Sequence, residues 1–156
     1  MGRLADEVRD RLRDRLADRL PAFEWTVERG VGGTPVDVAG STADRLVAVE
    51  LEWRRADPAD NTAKLFRHLA EGAVEATRVD VFQAFTAYYD LASGGVSSKR
   101  ANAEFVGAAA AEALDGFEYH AVDLDVAPPR GGGEFEAEWE AAIDEVVDRI
   151  VESVRP

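Results

Sequence analysis

Residues 46–53, LVAVELEW, leave the chain little choice of conformation. Valine and other apolar residues fill nearly every position, the composition of a β-strand. Glu50 and Glu52 interrupt that run. Alternate residues of a strand share a face, so the two glutamates point the same way. An unpaired carboxylate within an apolar strand is costly. Two readings stay open: a functional acidic face, or a half-exposed strand with a polar side.

Other elements follow from periodicity and punctuation. Residues 3–20 carry Leu4, Val8, Leu12, Leu16 and Leu20 at helical spacing, and Pro21 stops them. Phe23, Trp25 and Val27 alternate as a strand, and Gly30, Gly32 and Gly33 mark a turn. Thr34 to Ala39 forms a second strand ending at Gly40. Asp57 to Asn61 opens a helix, capped by Asp60 or Asn61 and running to about Ala76. Val79 to Phe85 is apolar enough for a central strand. Ser97 or Ser98 caps a helix that holds Phe105, Val106 and Leu114. Phe117 to Val126 is another strand. Residues 134–154 form a last helix with Trp139, Ile143, Val147, Ile150 and Val154 on one face. The order is α-β-β-β-α-β-α-β-α, which predicts one α/β domain over residues 1–156, a mixed sheet flanked by helices.

Composition limits the function classes. The chain has no cysteine, which removes disulfides and thiolate metal sites. No segment suits a signal peptide or a membrane span, so a cytoplasmic protein without a membrane partner is expected. The net charge is −13, and all but Lys64 and Lys99 of the 18 basic residues are arginines. Many acids and few lysines resemble the proteins of salt-in halophiles. In such a background an acidic balance does not argue against a nucleic-acid partner.

Asp37 lies on the second strand, with twelve residues between it and Glu50. A short turn makes the two strands antiparallel and can set Asp37 beside Glu50. Carboxylates converging there would form a hard oxygen site suited to Mg²⁺. The pattern is weak as text, because Glu134, Glu136, Glu138 and Glu140 repeat it at what looks like a solvated helix start. His68 and His120 look isolated, which argues against a zinc site. His68 reads best as an exposed helix residue. The Ser97–Arg100 segment is suited to phosphate but reads better as a capped helix start. Glu7 could join a metal site but reads as solvated, and the Gly30–Gly33 run reads as a hairpin turn. A third view makes the last helix the contact of an acidic interaction protein, unless its apolar face is buried on its own sheet.

The PVD…VELEW hairpin followed by DPADN resembles the PD-(D/E)XK nuclease superfamily, most of all the BamHI- and BglII-type restriction enzymes. The resemblance covers about residues 3–87 and more loosely the rest. It implies a DNA endonuclease with Asp37 and Glu50 as ligands of Mg²⁺ or Mn²⁺. Glu52 stands where most relatives carry the catalytic lysine. It would act as a base or extra ligand, or the site is inactive and the domain is a binding or regulatory module. Some members of the superfamily take the lysine from the following helix, which makes Lys64 a catalytic candidate; the alternative is a surface ion pair with Asp60. DNA is the expected partner, and a homodimer is left open.

Overall fold

A computed structural model of the chain describes residues 2–129 and 138–155. Its elements are α1 (Arg3–Arg19), β1 (Glu24–Val31), β2 (Thr34–Ser41), β3 (Arg45–Glu52), α2 (Pro58–Ala70), β4 (Arg78–Thr86), α3 (Ser98–Ala113), β5 (Phe117–Leu124) and α4 (Trp139–Val154), with a 3₁₀ turn at Ala87–Tyr89. The α-β-β-β-α-β-α-β-α order and the mixed sheet match the expectation. The strands lie in sequence order, β1 to β5. The pairs β1–β2 and β2–β3 are antiparallel, and β3–β4 and β4–β5 are parallel. Short turns suffice for the first pairs; the parallel pairs need the crossover helices α2 and α3.

The strand β3 is buried on both faces. Val47, Val49 and Leu51 pack with Val8, Leu12 and Leu16 of α1 and with the apolar side of α4. Leu46 and Ala48 face the opposite way, toward Leu65, Phe66 and Leu69 of α2. Ile143, Val147, Ile150 and Val154 of α4 are thus buried on the chain's own sheet, which removes the support for that helix as an outward contact. Glu134 and Glu136 lie outside the described residues, while Glu138 and Glu140 are exposed where α4 begins.

Two helix boundaries differ from expectation. The cap of α2 is Asp57, whose side chain accepts the Asp60 N–H at 3.1 Å, with Pro58 in the first turn. The helix ends at Ala70 because Gly72, at φ 86°, takes the left-handed conformation. The Gly72 N–H then donates to Leu69 O and the Ala73 N–H to His68 O, a Schellman closure. In α3 the buried positions are Arg100, Ala103 and Gly107, whereas Phe105 is exposed.

The β1–β2 hairpin changes faces at the middle. Trp25, Val27 and Val38 pack on the α1 side, but Val31 and Val36 pack on the α2 side. Between them Glu28, at φ 52°, is the one non-glycine residue with positive φ among the described residues. By register it stands opposite Asp37. The Arg9 guanidinium of α1 holds the Glu28 carboxylate at 2.9 Å. Left-handed backbone at such a residue costs on the order of 1 kcal/mol. The distortion falls on the residue pair that presents Asp37.

Candidate metal centre

Continuing the β2–β3 register one step beyond Val38↔Val49 puts Asp37 opposite Glu50. The structure brings these two together as expected: the carboxyl groups are near enough for each to shift the other's pKa. Asp37 Oδ2 also accepts the Leu51 N–H at 2.7 Å. Glu52, two residues along the same face, is fully buried.

Burial and like charge act together here. Burial pushes Glu50 well above the usual carboxylate range, and the negative charge of Asp37 adds to it. Burial also raises Asp37, against the Leu51 N–H that it accepts. Glu52 is raised by burial, offset by N–H donation from Gln83 and Asn61. Glu50 Oε1 and Glu52 Oε2 are buried without a hydrogen-bond donor. Crowded buried carboxylates with unfilled acceptors would be relieved by a cation.

Asn61, expected only as a helix cap, and Gln83 also belong to the site. Asn61 Nδ2 lies 3.2 Å from Glu50 Oε2 and 2.9 Å from Glu52 Oε1. Gln83 Nε2 lies 2.9 Å from Glu52 Oε1. A signal existed: Gln83, like Asp80, is a polar residue in the apolar run of β4, and Asn61 belongs to the DPADN segment.

Lys64 is not brought to the carboxylates. It is exposed on α2, its Nζ 3.1 Å from Asp60 Oδ2, the surface pair that its spacing allows. The inward residues of that turn are Asn61, Thr62 and Leu65. The cations that do act on the site are Arg55 and Arg9. Arg55 Nε lies 3.6 Å from Glu52 Oε2. Glu7 pairs with Arg3. His68 is half-buried and bonds Thr34 Oγ1 at 2.8 Å, clasping the β1–β2 turn. The Ser97 hydroxyl caps α3, and Arg100 is buried against Asp123 at 2.6 Å, so this segment is a helix start tied to β5.

His120 is not isolated. Asp80, Glu118 and His120 present ligand atoms all within 4.8 Å of one another, the only such trio among the described residues, and this group could hold a metal ion. Asp37, Glu50 and Glu52 do not close on one point in that way, which leaves Asp37 and Glu50 as the adjacent pair. The Asp80 group lies on the other side of the sheet, with the α1-facing residues Phe82 and Val122. Its charge is already met: Asp80 Oδ2 lies 3.3 Å from Arg45 and 3.6 Å from Arg78. Burial alone would raise Asp80, but His120, Arg45 and Arg78 outweigh it and lower its pKa. A divalent ion there would face two guanidinium groups, whereas neither Asp37 nor Glu50 is ion-paired to a lysine or arginine among the described residues.

The chain matches no protein-family model and no curated protein. No helix among the described residues is long and apolar enough to cross a membrane.

Proposed function

We propose that this chain is a divalent-metal-dependent DNA endonuclease of the PD-(D/E)XK type, hydrolysing phosphodiester bonds with Asp37 and Glu50 as ligands of Mg²⁺ or Mn²⁺. One observation carries the reading: the buried Glu50 carboxyl stands beside the half-buried Asp37 carboxyl on paired strands, and neither is ion-paired to a lysine or arginine among the described residues. Hard oxygen donors of this kind fit either ion. Such an ion supplies an activated water and charge stabilisation at a phosphate.

The chain's own residues supply the rest. Asp37 is held in place by the Leu51 N–H, and Glu50 by Asn61. Arg55 is half-exposed beside Glu52 and can turn toward a phosphate, where its charge opposes the negative charge built up during hydrolysis. It takes the part for which Lys64 was a candidate.

The second reading is a binding or regulatory module that keeps the fold without the chemistry. The carboxylate at position 52 and the outward placement of Lys64 favour it. Incubation with supercoiled and linear DNA, with Mg²⁺ or Mn²⁺, from low to molar KCl, separates the two. Cleavage by the wild type that is lost in Asp37→Ala and in Arg55→Ala supports the enzyme. DNA binding without cleavage under every condition supports the module.

A further inference from the structure

A polar chain crosses the sheet from β5 to Glu50. The Tyr119 hydroxyl donates to Gln83 Oε1 at 2.6 Å. Gln83 Nε2 donates to Glu52 Oε1 at 2.9 Å and to Thr62 Oγ1 at 2.8 Å. The Thr62 hydroxyl proton goes to Pro58 O at 2.9 Å, so toward Gln83 it can only accept. Asn61 Nδ2 then joins Glu52 Oε1 and Glu50 Oε2. Gln83, Glu52, Asn61 and Thr62 are all buried.

This chain has one direction. A flipped Gln83 amide would place its carbonyl against the Glu52 carboxylate and the accepting side of Thr62, a repulsive arrangement. Tyr119 and Thr62 therefore fix the Gln83 amide, which with Asn61 fixes Glu52 Oε1. Glu52 in turn orients Asn61, whose second N–H engages Glu50 Oε2. Glu50 Oε1 is the oxygen left without a donor. The other oxygen of Glu52 faces Arg55 Nε at 3.6 Å.

We infer that Glu52 is a positioning residue, neither base nor metal ligand: through Asn61 it sets which oxygen of Glu50 is free, and through its other oxygen it places Arg55. The chain Tyr119–Gln83–Glu52–Asn61 is the support that holds Glu50 ready for the ion. This rests on the proposed metal site at Asp37 and Glu50. It accounts for a glutamate at a position where the superfamily resemblance expects lysine: the carboxylate brings its own cation, Arg55, and anchors two amides that a lysine would repel.

The test reads Mn²⁺ affinity by calorimetry, together with the unfolding temperature. Removing a support of this kind typically weakens metal binding about tenfold or more, the loss expected for Asn61→Leu. Glu52→Gln keeps a carbonyl acceptor for Asn61 and Gln83, so its affinity is expected within about threefold of wild type, under 1 kcal/mol. Glu52→Met removes the acceptor and should lose as much as Asn61→Leu. The double variant Asn61→Leu/Glu52→Met should lose no more than either alone. Should Glu52→Met fail to fold, Asn61→Leu and Glu52→Gln still decide. Loss of Mn²⁺ binding in Glu52→Gln as complete as in Glu50→Gln would make Glu52 a ligand and overturn the inference. So would unchanged affinity in Asn61→Leu, or a Glu52→Gln protein that binds Mn²⁺ normally but no longer cleaves DNA that Arg55→Ala still cleaves. Absence of Mn²⁺ binding by the wild type would instead remove the metal site itself, and the inference with it.

Discussion

The Asp37 carboxylate accepts the backbone N–H of Leu51 at 2.7 Å, just where the β2–β3 pairing stops at Val38↔Val49. A side chain thus takes over a main-chain donor at the end of the ladder, and this bond aims the carboxylate at Glu50. Asp37→Asn keeps an acceptor for Leu51 and removes a charge from a crowded pair. Its unfolding temperature without divalent ions should equal or exceed that of wild type. Asp37→Ala leaves the Leu51 N–H to find another acceptor and should be less stable than Asp37→Asn by about 1 kcal/mol. Thermal unfolding of the two variants measures the difference; equal stability would deny the bond any structural role.

Glu50 carries a pH signature. Its pKa is raised in the fold, so between the ordinary carboxylate value and the raised one the folded state binds more protons than the unfolded state. The native protein without metal therefore loses stability as pH rises through that window. Glu50→Gln cannot lose a proton, so its advantage over wild type should be small near pH 4.5, grow with pH and then level off. A plateau advantage of 1 kcal/mol would appear as about 2–4 °C in Tm. Melting curves from pH 4.5 to 8 check it. A Glu50→Gln protein less stable than wild type at pH 8 would mean that the carboxylate is structurally paired.

Asp80 should behave in the opposite way. It is fully buried, and Arg45, Arg78 and His120 hold its pKa below the ordinary value. Its contribution is present above the ordinary aspartate value and lost as pH falls through the depressed one. Asp80→Asn leaves Arg45 half-covered without its anion and should destabilise the fold by about 3 kcal/mol. Denaturant unfolding at pH 7 gives the number. A loss below about 1 kcal/mol, the size of an exposed pair, would contradict the network described.

Gly107 links packing to the site from a distance. A Cβ at this position on α3 would stand 2.3 Å from the ring of Tyr119, so Gly107→Ala must displace that ring. Tyr119 donates to Gln83, the first step of the chain that ends at Glu50. Gly107→Ala should therefore weaken Mn²⁺ binding, although residue 107 touches none of the carboxylates. Crystals or NMR of the variant would show Tyr119 moved; a moved ring with unchanged Mn²⁺ affinity would separate Tyr119 from the site.

The fold was legible where the signal is local. The apolar run of β3, the period of α1 and the serine cap of α3 each come from neighbouring residues, and all three stand, the cap being Ser97 of the two serines there. The pairing of Asp37 with Glu50 was legible as well, since a short turn fixes antiparallel register. What stayed hidden depends on distant strands. Gln83 reaches Glu52 only because β4 lies parallel to β3, with Glu50 beside Gln83 in register. His120 meets Asp80 for the same reason between β4 and β5. Lys64 drew attention by its rarity, but rarity carries no direction in space; helix phase, set by the burial of Leu65 and Phe66, turned Asn61 inward instead.

A Mn²⁺ titration of wild type, Glu50→Gln and His120→Ala decides which carboxylates hold the ion. It is run by calorimetry at pH 7 in enough KCl to keep each protein folded. One saturable site is expected in wild type, lost in Glu50→Gln and retained in His120→Ala. Binding that survives in Glu50→Gln but disappears in His120→Ala would place the ion at Asp80, Glu118 and His120 and contradict the account.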